Sequence, residues 1–117
     1  MLQAYSSQCA LCRLRPRELL DAAHILPDSH PEGLLVIRNG LALCKLHHAA
    51  FDSFLWTVTP DFIIQIREDI LEEKDGPVLL HALQGLNQSW ILLPHNPANW
   101  PNREALEWRY SKFQSVQ

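Results

Sequence analysis

Four residues limit this chain more than any others: Cys9 and Cys12 in "CALC", then Cys44 and His47 in "CKLH". Each pair has two residues between its donors, and residues 13–43 separate the pairs. Such spacing offers two ligands from a tight turn and two more from the point where a strand runs into a helix. Three thiols and an imidazole make up the donor set of a closed tetrahedral zinc site. The cysteines number three, an odd count that argues against a closed disulfide framework and for reduced thiols. A structural zinc ion is therefore expected on Cys9, Cys12, Cys44 and His47, ahead of three ordinary buried cysteines beside a surface histidine.

The 117 residues are 47% apolar, enough for one modest core, so a single domain over residues 1–117 is expected. No apolar run approaches a membrane span, and "MLQAYSSQCALC" lacks the charged and apolar regions of a secretory signal. The expectation is a soluble, cytoplasmic chain with no membrane partner. A formal charge of -3 supplies no global attraction to phosphates. The acidity lies in the second half, however: residues 1–60 balance five basic against five acidic groups, and residues 61–117 hold five against eight.

Read along the chain, an apolar stretch ends at His24 and Ile25, and Pro27 breaks it. Turn formers predict a loop over 27–39, then a strand at "LALC" and a helix over "KLHHAAFDSF". "LWTV" and "FIIQI" flank the turn "TPD" as a hairpin, and "PVLLHALQGL" has helical spacing with Pro77 in its first turn. "NREALEWRYSKF" closes the chain as a helix, with Asn102 as N-cap and Leu106, Trp108, Tyr110 and Phe113 as apolar surface.

His47 serves the zinc site and leaves His48 over. Neighbours on a helix diverge by about 100 degrees, so adjacent imidazoles suit two sites better than one. Asp52 lies four residues after His48 and shares its face, and its carboxylate suits a hard cation. His48 and Asp52 thus form a second candidate metal pair; a partly exposed histidine beside a salt-bridging aspartate is the plainer reading of the same spacing.

"AAHI", then "NG", then "LCKLHHAAFD" resembles the HNH endonucleases, also called His-Me finger or ββα-metal nucleases, in the zinc-bearing branch that includes McrA-like restriction domains. The ligand pairs and the three family positions fall in order between residues 9 and 52. The tail "LPHNPANWPNREALEWRYSKF" is similar to that of many bacterial restriction endonucleases. The resemblance implies an α+β fold: a zinc-stapled, treble-clef-like ββα-metal core over about 9–56 and a C-terminal strand and helix extension over about 57–117. It implies that His24 ends the first strand as general base, that Asn39 braces the loop, and that His48 holds a catalytic divalent ion, Mg2+ or another. DNA is the implied substrate, and in-line attack would leave a 5′-phosphate, as in relatives. Many members carry an Asp just before the base histidine. Here that residue is Ala23, so another carboxylate must serve, Asp52 first and Asp21 second.

Arg13, Arg15, Arg17, Arg38 and Lys45 flank the expected site, either as a solvated face or as phosphate contacts. His30, His81 and His95 read as surface or loop residues, and Trp56, Trp90, Trp100 and Trp108 as core. A DNA-recognition segment in a longer parent protein and a second copy of the chain are further partners this reading admits. The rival from a different class is a non-catalytic zinc module binding nucleic acid or protein, which has no use for His24, Asn39, His48 and Asp52 together.

Overall fold

The stretch between the two ligand pairs folds as antiparallel strands, β1 (Leu20–His24) and β2 (Gly40–Cys44), with Leu20 opposite Cys44 and His24 opposite Gly40. The computed structural model describes residues 1–34 and 36–116. All five residues of β2 are buried, because a 3-10 turn at Leu2–Tyr5 and the following helix both pack on it. Tyr5 fixes the turn by donating its hydroxyl to the Gly40 carbonyl at 3.0 Å. The unbroken apolar run of β2 is what a strand covered on both faces requires.

Helix α1 (Lys45–Asp52) starts directly from β2, with Cys44 as its N-cap: the thiol sulfur accepts from the His47 backbone N–H at 3.5 Å. It ends two residues earlier than its composition suggests, where Phe54 adopts a left-handed φ of 58°. Strand, loop, strand, helix is the ββα order of the expected α+β fold. The loop carries a 3-10 turn at Ile37–Asn39; of the segment read as loop, Leu35 lies outside the described residues. Gly33 lets the loop fold back on itself, since a Cβ there would meet the Pro27 carbonyl oxygen at 1.9 Å.

Beyond the core, β3 (Trp56–Val58) and β4 (Ile64–Ile66) pair as the predicted hairpin. A short α2 (Glu68–Glu72) follows, which the hydrophobic pattern does not signal. The segment expected as a regular helix over 77–86 is instead a π-helical turn at Leu79–Leu83 and a 3-10 turn at Gln84–Leu86. Tertiary ties account for the difference. Gln84 donates to the Ile70 and Glu73 carbonyls, both at 2.8 Å, while Val78 and Leu80 stay exposed rather than burying a helical stripe.

Helix α3 (Arg103–Ser115) closes the chain, and the Asn102 side chain caps it by accepting from the Glu104 and Ala105 N–H groups at 2.8 and 3.3 Å. It buries Ala105, Leu106, Arg109 and Phe113 along one face. A single apolar cluster runs from Tyr5 through β2, α1 and the hairpin to Leu106. Trp56 sits at its centre, but Trp90 corrects the reading of the tryptophans as core: it is 71% exposed, on a segment that runs beside the hairpin and pairs with it at Ile63.

Candidate active site and metal centre

Cys9, Cys12, Cys44 and His47 converge, with one donor atom from each lying within 4.8 Å of all the others. The His47 Nδ1 is 3.3 Å from the Cys44 sulfur and 3.6 Å from that of Cys9, and the Cys12 and Cys44 sulfurs are 3.9 Å apart. A tetrahedral zinc ion spaces sulfur and nitrogen ligands about 3.5–3.8 Å apart, so donor types and spacing both fit. These four residues can hold a metal ion such as zinc.

The surroundings support that use. His47 turns its other nitrogen outward and donates from Nε2 to the Ala82 carbonyl at 2.6 Å, which leaves Nδ1 free to ligate. Burial opposes its charged form, but the bonds to Cys9 and Ala82 outweigh it and hold the imidazole above its ordinary range. The Cys44 thiol and the His47 ring stabilise Cys9 as thiolate against the cost of burial, and Cys44 is pushed up in turn. Trp56 completes the support by donating its indole N–H to the His47 carbonyl at 2.9 Å.

His48 points away from this cluster. Its Nδ1 lies 2.8 Å from Asp21 Oδ2, and its Nε2 lies 3.3 Å from Asp52 Oδ2. Both carboxylates named from the sequence thus reach the same ring from opposite sides. Asp21 also takes Lys45 Nζ on Oδ1 at 2.5 Å, and His48 and then Lys45 hold its carboxyl below the usual carboxylate range.

His24 is the last residue of β1, and it shares a pocket of about 400 Å3 with Asp28, His48, Asp52, Trp108 and Arg109. Its Nε2 is 3.1 Å from Asp28 Oδ1 but lies off the line a hydrogen bond needs, so the nitrogen has no hydrogen-bond partner among the described residues. Asn39 does not line this pocket. It works behind it, buried, with Oδ1 accepting from the Leu26 N–H at 2.9 Å and Nδ2 donating to the Leu26 and Leu34 carbonyls at 3.1 and 2.9 Å. Those bonds tie together the two ends of the loop that follows His24.

Arg13, Arg15 and Arg17 are exposed, whereas Lys45 is engaged by Asp21 and Arg38 donates to the Trp100 carbonyl at 3.2 Å. Sequence reasoning missed two residues of the pocket. Asp28, four residues after His24, is hidden among turn formers. Arg109 did leave a signal, a charge inside the apolar stripe Ala105, Leu106, Arg109, Phe113. Burial, only partly offset by Asp52, pulls its guanidinium down to about 10.

Residues 9–59 match the family of HNH endonucleases. Among solved structures, the fold is similar to that of a modification-dependent TagI restriction endonuclease, with a TM-score of 0.59 and 18% identity over 95% of this chain. The chain spans 35% of that protein's length. No curated protein matches the chain. The matched segment contains the Cys3His cluster, the loop-bracing Asn39, and His24 and His48 on either side of one pocket, and it is as an HNH endonuclease domain that residues 9–59 are matched.

Proposed function

We propose that this chain is a metal-dependent DNA endonuclease of restriction or DNA-defence type, hydrolysing phosphodiester bonds at the pocket between β1 and α1. The observation that carries the reading is the grouping of His24, His48, Asp52 and Arg109 around that pocket, with a ring nitrogen of His24 unpartnered. An imidazole changes charge near neutral pH and can take the proton of an attacking water. His24 has that role here, and Asn39 holds the loop so that the ring stays at the strand end. His48 and Asp52 hold a hard divalent ion, Mg2+ or another. Such an ion, when bound, supplies positive charge to the non-bridging and leaving oxygens of the phosphate. Arg109 adds a buried cation to the wall, and in-line attack releases the 3′-oxygen and leaves a 5′-phosphate.

Cys9, Cys12, Cys44 and His47 hold zinc in a structural role, remote from the reacting phosphate. The shared core and Arg109 support reading residues 1–117 as one unit with its extension. Arg13, Arg15 and Arg17 are free to meet DNA phosphates. The share of the TagI endonuclease that the chain spans supports a recognition segment in a longer parent protein. We place the protein in the cytoplasm, with a second copy of the chain as a further partner. The test is relaxation of supercoiled plasmid across a series of divalent metals, with His24→Ala as control. Metal-dependent cleavage that falls by about two to four orders of magnitude in the variant is expected. No cleavage with any metal would leave a non-catalytic zinc module.

A further inference from the structure

The His48 ring is held between two carboxylates, and the chemistry of its two nitrogens decides what each carboxylate does. A carboxylate can only accept, so Nδ1, at 2.8 Å from Asp21 Oδ2, must carry a proton. In a neutral ring Nε2 is then a bare lone pair, and it faces Asp52 Oδ2 at 3.3 Å. Two acceptors at that distance repel each other unless a cation joins them. Each oxygen of Asp21 already has a partner, Oδ1 in Lys45 Nζ at 2.5 Å and Oδ2 in His48, so the carboxylate faces the back of the ring.

From this geometry we infer that Asp21 is a positioning residue, not a ligand: it fixes His48 as the Nδ1–H tautomer and leaves Nε2, with Asp52, to bind the divalent ion. The inference rests on the proposed ion site at His48 and adds the device that orients it. A ligating imidazole whose other nitrogen donates to a carboxylate is locked in tautomer and ring orientation and is a more basic donor. The arrangement also accounts for Ala23. With no carboxylate next to His24, the acidic residue one strand repeat earlier approaches the His48 ring from behind, and Asp52 meets that ring from the pocket side. Lys45 thereby acquires a place in the same chain of contacts, since it holds the oxygen of Asp21 that His48 does not use.

The experiment compares wild type, Asp21→Ala, Asp21→Asn and Asp52→Ala as zinc-loaded protein, reading two quantities. One is the tautomer of His48 from its side-chain 15N shifts at a pH where the ring is neutral, without added metal. The other is the affinity for Mn2+ alone, from the free-ion electron paramagnetic resonance signal. Wild type should show the Nδ1–H form. Asp21→Ala should shift the ring toward Nε2–H and weaken Mn2+ binding about 10- to 100-fold. Asp21→Asn keeps an acceptor oxygen and should retain most of the tautomer with a smaller loss. Asp52→Ala should lose affinity with the tautomer unchanged. An Asp21→Ala protein with wild-type tautomer and affinity overturns the inference, as does one that loses Mn2+ while keeping the tautomer, which would make Asp21 a ligand. Wild type that binds no Mn2+ although His48 is Nδ1–H would overturn the ion site itself and, with it, Asp21's role there.

Discussion

Arg109 sits over the ring of Phe51 at 3.9 Å from its centroid and donates to the same residue's carbonyl at 2.6 Å. Its other terminal nitrogen donates to the Ile25 carbonyl at 3.1 Å. One side chain from the last helix thus spans the residue after His24 and the residue before Asp52, fixing the two walls of the pocket against each other. Arg109→Met should destabilise the fold by about 2–4 kcal/mol, because it leaves two carbonyls unpaired at a buried site. Arg109→Lys should recover little of this, since one ammonium cannot reproduce the planar fork. Urea denaturation measures both, and wild-type stability in the lysine variant would show that the fork is dispensable.

Removal of zinc should unfold the core. Cys44 supplies a sulfur to the Cys3His cluster and also caps α1, so one atom holds both the site and the helix start. Purified protein should carry about one zinc per chain. Stripping it with a strong chelator in reducing buffer should abolish the cooperative thermal transition, because binding free energy at structural zinc sites is folding free energy. Cys44→Ala should aggregate or fail to fold. Folded, reduced wild-type protein without metal by elemental analysis would rule the structural role out.

That Cys3His grouping was legible in the sequence because its spacing is local: each pair is three residues apart, and only its meeting with the other pair needed the fold. The β3–β4 hairpin and the Asn102 cap were legible for the same reason, as turn and capping residues act on their own neighbours. Arg109 was not, because its partners at Phe51 and Ile25 lie 58 and 84 residues away. The π-helical turn at Leu79–Leu83 escaped as well. Its apolar spacing is helical, but its conformation answers to the bond from Gln84 to Ile70 of α2 and to the bond between Ala82 and His47, neither of which leaves a periodic trace.

Asp28 lies over the unpartnered nitrogen of His24 with its own side chain 87% exposed. A phosphate entering the pocket must move this carboxylate or bind beside it. Asp28→Asn should therefore lower KM for DNA about threefold with kcat little changed, since a unit charge some 6 Å from a phosphate costs roughly 0.7 kcal/mol in a water-like dielectric. The gain should shrink as salt rises. A fall in kcat instead would assign Asp28 to orienting the His24 ring.

The adjacent imidazoles should fail differently when removed. His47 directs Nδ1 at two sulfurs and is fully buried, whereas His48 faces Asp21 and Asp52 at the rim of the pocket. Side chains that diverge by about 100 degrees around the helix belong to separate coordination spheres, so each substitution should strip a donor from one site and leave the other intact. His47→Ala should lose zinc and thermal stability together. His48→Ala should keep zinc content and melting behaviour and lose metal-dependent plasmid cleavage. Asp52→Ala should resemble the second variant more mildly, and raising Mg2+ or Mn2+ should restore part of its activity by mass action, a rescue unavailable to His47→Ala. Zinc analysis, melting curves and cleavage on the three proteins check this. Equal zinc loss in both histidine variants would place the two rings in one site and favour a zinc module without catalysis.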